Sequence, residues 1–290
     1  MQGNTKSKKG VSGMLEDKIK RAIKLLQAAS MSAHGECLEV CYSGGKDSDI
    51  ILELVKMAGI KYRAIYRNTT IDPPGTIAHC KRNGVEIMQP KERFFALVRK
   101  KGFPTRRARF CCKDLKEYKI LDNAVQGIRQ CESTSRKKRY KEPTVCRVYG
   151  AKANHVNVIL PILEWTDKDV EQFIAQRGIK CHPLYYDEQR RFHVERRLGC
   201  LGCPMPSDNG VADFLRYPKL LKAWAEAGKA YLSTHPNCQS KAKFGNVYDL
   251  IYYNLFCATY EDYLSKKSPD LWGGVIDCKQ LLETYFNIKL

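Results

Sequence analysis

The sequence has 290 residues, with 50 Lys and Arg against 31 Asp and Glu and a formal net charge of +19. That length predicts one large α/β domain with an appendage, and the charge favours an anionic partner. The 13 cysteines are an odd number and follow no signal-peptide pattern, which excludes a secreted disulfide framework and predicts a cytoplasmic location. The sequence has no apolar run of membrane-spanning length, which excludes a membrane protein.

The N-terminal part of the chain changes character near residue 14. Residues 1–13 are polar and Gly/Ser/Lys-rich, which is typical of a disordered tail. Apolar residues at helical spacing from Met14 to Ala29 predict an N-terminal helix within residues 14–35.

The next segment reads as a βαβ unit. Glu39–Tyr42 is predicted to be a strand, Asp49–Met57 a helix that ends near Gly59, and Tyr62–Tyr66 a second strand. This order implies a parallel sheet with a right-handed crossover.

Later segments continue the alternation less regularly. Val85–Met88 and Val156–Leu160 read as strands, and Glu92–Lys100, Leu115–Ala124 and Asp167–Ala175 as helices. Beyond residue 199 the pattern is helical and aromatic, so we expect a C-terminal helical appendage.

A polar, glycine-containing loop joins the first strand to its helix. It consists of Ser43, Gly44, Gly45, Lys46, Asp47 and Ser48. Backbone N–H groups at a helix N-terminus favour an anion, so the loop is expected to hold phosphates, with Asp47 available for Mg²⁺. The alternative is an ordinary turn in which Asp47 or Ser48 caps the helix.

The loop resembles the S-G-G-x-D-S signature of the PP-loop ATP pyrophosphatases. Three later segments resemble motifs of the phosphoadenosine phosphosulfate (PAPS) reductase family; they are Asn68–Pro74, Gly127–Arg136 and Pro161–Val170. The resemblance implies a Rossmann-like, mostly parallel sheet with helices on both faces, a nucleotide-binding domain over residues 36–203 and a helical region over 204–290.

The resemblance also implies ATP or PAPS as the ligand and assigns residues to it. Asn68 and Thr69 would contact the adenosine, and Ser133, within the segment Gly127–Arg136, would be a further ligand-binding residue. Arg129 and Arg136 can offer bidentate contacts to the distal end of such a ligand. The predicted catalytic residues are Lys46, Asp47, Arg129 and Arg136.

Four cysteines form a second constellation. Cys111 and Cys112 are adjacent, and Cys200 and Cys203 have C-x-x-C spacing. Four thiolates suit zinc or a [4Fe–4S] cluster, and the alternative is four free buried thiols. The pattern resembles iron–sulfur adenylyl-sulfate reductases, which favours the cluster and leaves zinc as the alternative.

Other side chains have plainer interpretations. Trp165 is expected in the core, Asp72 in a turn, and His182 in a structural role. Cys131 and Cys146 lie beside the arginine-rich segment, which suggests a lowered thiol pKa.

The chain departs from the reductases at its C-terminus. It ends LLETYFNIKL and lacks their E-C-G-x-H tail. A branch that keeps the loop and the four cysteines includes the ATP pyrophosphatase subunits of DNA phosphorothioation systems. That resemblance implies adenylation with ATP and Mg²⁺, a sulfur donor such as a cysteine desulfurase, and DNA or RNA as a partner.

The basic runs suit such a partner. They are Arg106–Arg109, Arg136–Arg139 and Arg190–Arg197, and each could also be a solvated charged face. Two alternative functions remain: a thiol-dependent PAPS or adenylyl-sulfate reductase that uses Cys131 or Cys278, and a non-catalytic nucleotide- and DNA-binding regulator.

Overall fold

The computed structural model describes residues 6–149, 154–268 and 276–290, so the first five residues of the predicted tail lie outside it. The described chain forms two compact units. Unit 1 consists of three segments: the residues up to Asn68, then Pro73–Gln89, then Lys116–Leu198. Unit 2 consists of Thr69–Asp72, Pro90–Leu115 and the residues from Gly199 onward. None of the helices in these segments has the length and apolar character needed to span a bilayer.

Unit 1 contains a six-stranded sheet with the order β3-β2-β1-β4-β6-β5. The strands are β1 (Leu38–Tyr42), β2 (Tyr62–Arg67), β3 (Glu86–Met88), β4 (Asn123–Val125), β5 (Thr144–Tyr149) and β6 (Asn154–Ile159). All neighbouring pairs are parallel except β5 with β6. The predicted mostly parallel α/β sheet is therefore confirmed.

The helices of both units follow the chain order. They are α1 (Lys6–Ser32), α2 (Lys46–Ala58), α3 (Thr76–Arg82), α4 (Phe94–Lys101), α5 (Phe110–Leu115), α6 (Thr134–Arg139), α7 (Asp167–Arg177), α8 (Val211–Arg216), α9 (Pro218–Thr234), α10 (Gln239–Phe244), α11 (Val247–Phe256), α12 (Tyr260–Lys267) and α13 (Cys278–Phe286).

Strand β1 lies at the centre of the sheet, where Val40 pairs with Ala64 of β2 on one side and Val125 of β4 on the other. Val40 is fully buried, as expected for a strand covered on both faces. Helix α2 packs in the same core through residues such as Ile50 and Leu54, which are 0% exposed. Burying such a side chain contributes about 1.5–3 kcal/mol, so this core fixes the junction between β1 and α2.

A buried ion pair ties β1 to β2. The guanidinium of Arg67 donates to Glu39, with Nη1 at 2.5 Å from Oε1, and it also donates to the carbonyl groups of Tyr118 and Lys119. The Glu39 side chain is 0% exposed. Because a buried charge needs partners, this network also positions the chain that leads into β4.

Two expectations about local structure are wrong. The helix predicted over Leu115–Ala124 is replaced by the end of α5, a turn with Lys119 at φ 50, and β4. Ala124 is fully buried and pairs with both Glu39 and Val158, so strand pairing overrides its helix propensity. Residues 6–13, expected in the tail, belong to α1, because a formed helix extends at little cost per residue.

Unit 2 is helical and has its own aromatic core, which confirms the predicted C-terminal helical region. Trp224 of α9 packs against Phe94, Phe103 and Phe214 with ring centroids 5.3, 5.1 and 5.7 Å away. Phe94 and Phe103 come from residues 90–115, which belong to unit 2 although they fall within the nucleotide-binding domain expected over residues 36–203.

Candidate functional site

The loop Ser43–Gly45 joins the carboxyl end of β1 to α2 in unit 1. Gly44 has φ +78, and a Cβ there would lie 3.1 Å from Thr76 Cγ2, so both conformation and space favour glycine. Gly45 is the N-cap of α2 and provides no side-chain hydrogen bond to the helix. The alternative with Asp47 or Ser48 as the cap is therefore wrong, and the N-terminus of α2 is suited to an anion.

Lys46 is held close to the loop. Its side chain is 5% exposed, and its Nζ lies 3.4 Å from the carbonyl oxygen of Arg196 and 3.5 Å from Asp47 Oδ2. Its backbone N–H donates to Tyr185 Oη at 3.2 Å. Burial raises the pKa of Tyr185, so the hydroxyl stays neutral and can serve as this acceptor.

Arg129 contacts the loop from the segment after β4. Its side chain is 1% exposed, Nε lies 2.7 Å from Asp47 Oδ1, and Nη1 lies 2.9 Å from Asp167 Oδ1 at the start of α7. Gly127 makes this approach possible, because a Cβ there would come within 2.9 Å of the Asp47 carbonyl oxygen. Three of the four predicted catalytic residues, Lys46, Asp47 and Arg129, therefore lie together.

Arg136 adds a further positive charge near Asp47 and Arg129. It lies on α6, pairs with Glu132, and donates its backbone N–H to Ser133, which is the N-cap of that helix. Burial and the nearby charges of Arg197 and Arg129 lower the pKa of Arg136. Such crowding of like charges is relieved by an anion.

The two residues expected at the adenosine fall in different units. Asn68 ends the first segment of unit 1, next to β2, and its Nδ2 donates to Gln89 Oε1 at 2.9 Å. Thr69 begins a segment of unit 2, where its Oγ1 donates to Asp72 Oδ2 at 2.6 Å. The interpretation of Asp72 as a turn residue is confirmed.

Two buried histidines, His182 and His79, lie near the loop and the first turns of α2. His182 is 0% exposed; its Nδ1 accepts the Leu184 N–H, and its Nε2 lies 3.4 Å from the hydroxyl of Thr76, the residue packed against Gly44. His79 Nε2 lies 2.9 Å from Asp49 Oδ1. The structural interpretation of His182 is confirmed.

Sequence reasoning missed some of these contributions. Tyr185 and His79 lie far from the loop in sequence and match no motif. Arg197 was assigned only to a basic run. The expectation that Trp165 lies in the core is confirmed, since its side chain is 2% exposed and packs edge-on against Phe173.

The four predicted metal ligands all lie in unit 2. A hydrogen bond with Cys112, burial, and the charges of Cys112, Cys200 and Cys203 together raise the pKa of Cys111, so the four thiols are within electrostatic reach of one another. Across residues 6–149, 154–268 and 276–290, no three His, Cys, Asp or Glu side chains are arranged to hold a metal ion. The metal site therefore stays a prediction.

The remaining candidate thiols differ in access. Cys131 is exposed and accepts a hydrogen bond from Arg129 Nη1 at 2.9 Å, yet burial of the sulfur raises its pKa, so the lowered pKa expected for Cys131 is wrong. Cys278 is 2% exposed, and burial raises its pKa to about 12, which makes it a poor nucleophile. Cys146 is exposed, with its sulfur 3.6 Å from His155 Nδ1.

The basic runs are divided between the units. Arg106–Arg109 belongs to unit 2, and Arg136–Arg139 and Arg190–Arg197 belong to unit 1. Some of these side chains have internal partners: Arg106 donates to the Pro204 carbonyl group, and Arg191 pairs with Asp187 at 2.7 Å.

Comparisons with known proteins extend this description. An uncharacterized 37.8 kDa protein of Escherichia phage 186 is 30% identical over 161 residues, which is 49% of this chain and 44% of that protein. Candida auris PAPS reductase in a phosphate complex is 13% identical over 69% of this chain and 97% of its own, with a TM-score of 0.42. Candida glabrata FMN adenylyltransferase is 15% identical over 66% of this chain and 62% of its own, with a TM-score of 0.45.

This chain thus covers less than half the length of the phage protein and less than two thirds of the FMN adenylyltransferase. The family profile of the phosphoadenosine phosphosulfate reductase domain matches residues 38–206, more than half of the chain. The chain therefore belongs to the phosphoadenosine phosphosulfate reductase domain family.

Proposed function

We propose that the protein binds ATP with Mg²⁺ at the loop Ser43–Ser48 and cleaves the bond between the α- and β-phosphates. An oxygen of the acceptor forms a bond to the α-phosphorus, the α–β bond breaks, and pyrophosphate leaves with the bonding electrons. The observation that carries this proposal is the N-terminus of α2: the helix begins at Lys46 with no side-chain cap from Gly45, and Arg129 contacts Asp47 in its first turn.

The loop needs no covalent role in this reaction. Lys46, Arg129 and Arg136 would stabilise the negative charge that develops on the departing pyrophosphate, because fixed positive groups in a partly buried site act strongly on such charge. Asp47 would supply a carboxylate for the Mg²⁺ that accompanies ATP. Its present bond to Arg129 would orient that carboxylate.

The reaction would serve sulfur transfer or nucleic-acid modification. We propose DNA or RNA as the adenylated acceptor, with its phosphodiester backbone on the basic runs of unit 1, Arg136–Arg139 and Arg190–Arg197. A persulfide sulfur from a donor such as a cysteine desulfurase would then form a bond to the adenylated phosphorus with AMP as the leaving group, and a second thiol would reduce the remaining S–S bond, leaving sulfur on the phosphate. The net charge of +19 supports a polyanionic partner.

We also propose that Cys111, Cys112, Cys200 and Cys203 hold a [4Fe–4S] cluster, with zinc as the alternative. Support comes from the donor set, because four thiolates suit either group, and from the mutual influence of the four thiols in unit 2. Anaerobic purification followed by an absorption spectrum and by iron, sulfide and zinc assays tests this. About four irons per chain supports the cluster, one zinc supports the alternative, and neither metal refutes both.

Pyrophosphate release from ATP is the test of the main proposal. The wild-type protein should release pyrophosphate with a nucleic-acid acceptor, and Lys46→Ala should abolish release while its thermal stability stays near that of the wild type. Arg63→Ala, on the exposed surface of β2, is the control and should leave release unchanged. ATP binding without any release would favour the non-catalytic regulator.

A thiol-dependent reductase is the second candidate, because Cys131 is exposed and hydrogen-bonded to Arg129. Sulfite release from PAPS with a thiol reductant, lost in Cys131→Ser, would support it. The buried Cys278 is not suited to that role.

A further inference from the structure

Residues 182–198 of unit 1, which we call the strap, run beside the phosphate loop. The carbonyl oxygen of Arg196 lies 3.4 Å from Lys46 Nζ. A Cβ at Gly44 would lie 3.3 Å from Leu198 Cδ2, so the strap packs closely on the loop. Because Lys46 contacts the strap directly, the conformation of the strap affects where this ammonium group lies.

The strap folds back on itself. Tyr186 and Phe192 form an antiparallel bridge. Next to this bridge, the His193 N–H donates to the carbonyl oxygen of Tyr185 at 2.8 Å. Nη1 of Arg196 donates to the carbonyl oxygen of Tyr186 at 2.6 Å. The side chain of Arg196 thus anchors the returning arm of the strap to its first arm.

The ring of His193 lies between two carboxylates of the strap. Its Nε2 is 3.0 Å from Asp187 Oδ2, and its Nδ1 is 2.9 Å from Glu195 Oε1. Ionised carboxylates only accept hydrogen bonds, so both contacts are hydrogen bonds only when both ring nitrogens carry a proton. The neutral ring has a single N–H and would turn a lone pair toward the second carboxylate. The geometry therefore requires the imidazolium form, which joins Asp187 to Glu195.

The groups around His193 determine which contact breaks when the ring loses its proton. Hydrogen bonds to Asp187 and Glu195 raise the pKa of His193. Desolvation and the positive charge of Arg196 have smaller, opposite effects on this pKa. Asp187 is 12% exposed and has a second partner in Arg191, whose Nε lies 2.7 Å from it, whereas Glu195 is 69% exposed. Deprotonation therefore releases Glu195 and leaves Asp187 in place.

We propose that His193 is a positioning residue for ATP. Its imidazolium joins Asp187 to Glu195 and so closes the strap. The closed strap keeps the carbonyl group of Arg196 beside Lys46. The role assigned to His193 rests on the ATP site proposed above, and it makes the affinity of that site depend on one proton outside the loop. The clamp is present at low pH and is lost as the pH rises through the raised pKa of His193, so the affinity for ATP should fall over that range.

Equilibrium binding of a fluorescent ATP analogue with excess Mg²⁺ tests this role from about pH 6 to about pH 9. Each variant is compared with the wild type at the same pH, so that the ionisation of the nucleotide cancels. His193→Gln removes the charge and should bind about threefold more weakly at the low end, within the roughly fivefold limit for an exposed ion pair. At the high end it should bind like the wild type.

Two further variants complete the binding test. His193→Arg keeps a positive charge with donors on two sides, and it should retain the tighter binding over the whole pH range. His155→Gln, at an exposed position of β6, is the matched control and should follow the wild type.

Two measurements without nucleotide test the strap itself. NMR titration of histidine-labelled protein should give His193 a pKa above the ordinary value of 6.5, and its resonance is assigned by its absence from His193→Gln. Hydrogen exchange, corrected for its intrinsic pH dependence, should accelerate in residues 187–196 over the same pH range in the wild type but not in His193→Arg.

The pH profile separates positioning from a merely structural role. Binding that weakens in His193→Gln by the same factor at every pH overturns the proposal, as does unchanged exchange in residues 187–196 while His193 titrates. If the wild type binds ATP and His193→Gln binds it equally at every pH, the role of His193 is refuted and the proposed function stands. No binding of ATP by the wild type at millimolar concentration refutes the proposed function and, with it, the role of His193.

Discussion

Replacing Gly127 by alanine tests the approach of the Arg129 segment to the phosphate loop. The new Cβ would lie 2.9 Å from the carbonyl oxygen, 3.0 Å from the carbonyl carbon and 3.1 Å from the Cβ of Asp47. The two nearest atoms are backbone, so no rotamer change relieves the overlap. An ordinary contact begins at 3.4 Å, and the segment must therefore move by about 0.5 Å.

This shift has two measurable costs. Overpacking of this kind destabilises a protein by about 1–3 kcal/mol, and each kcal/mol lowers the Tm of a unit of this size by about 2–4 °C. The shift also disturbs the 2.7 Å contact between Arg129 and Asp47, so we expect ATP to bind at least about tenfold more weakly.

Thermal denaturation and equilibrium binding of a fluorescent ATP analogue measure both effects. Gly199→Ala is the control, because nothing lies within 4 Å of a Cβ at Gly199 and its backbone is not left-handed. If Gly127→Ala retains the wild-type affinity for ATP, then the contact between Arg129 and Asp47 is not part of the nucleotide site.

Three further predictions concern other contacts. Tyr185→Phe removes the acceptor of the Lys46 N–H and should cost about 1–2 kcal/mol of unfolding free energy by urea denaturation, whereas an unchanged value would mean that the bond is dispensable. Arg67→Leu leaves Glu39 buried without its ion-pair partner and should cost about 3–5 kcal/mol of unfolding free energy. Arg63→Leu at an exposed pair should lose clearly less, and equal losses would contradict the role of burial. The raised pKa of Cys131 lowers its thiolate fraction at neutral pH, so its alkylation should be slow at pH 7.5 and should still accelerate above the ordinary thiol pKa of 9.0. Peptide mass spectrometry measures the rate of alkylation. A rate that levels off below pH 9.0 would contradict the raised pKa.

Local patterns predicted the first βαβ unit well because β1 and α2 carry strong, regular apolar spacing. The glycines and charged residues between them indicated the loop, and the family resemblance is confirmed. Strand β4 was missed because it has only three residues, too few to show a period, and its stability comes from pairing with β1 and β6. Strand β5 is an edge strand whose residues are mostly exposed or half-buried, and it is held by its antiparallel pairing with β6.

The side chains around the loop were harder to predict. Tyr185 and His182 come from a segment more than 130 residues beyond the loop, and only the folded chain brings them to it. The proximity of Arg197 to Arg136 is likewise a tertiary effect. Sequence spacing also cannot show that burial outweighs the arginine beside Cys131, which is why its pKa was misjudged.

The discontinuous course of the chain determines how this protein can be dissected genetically. Three separate stretches build unit 2, and Ile71, Phe94 and Leu115 share one hydrophobic core with Leu221 and Leu282. A gene fragment that begins at residue 204 would lack the residues that 69–72 and 90–115 contribute to that core. A deletion after residue 203 would leave the apolar side chains of those two stretches exposed to solvent. Deletion mapping would therefore report misfolding rather than function, and point substitutions are the appropriate tool for separating the roles of the two units.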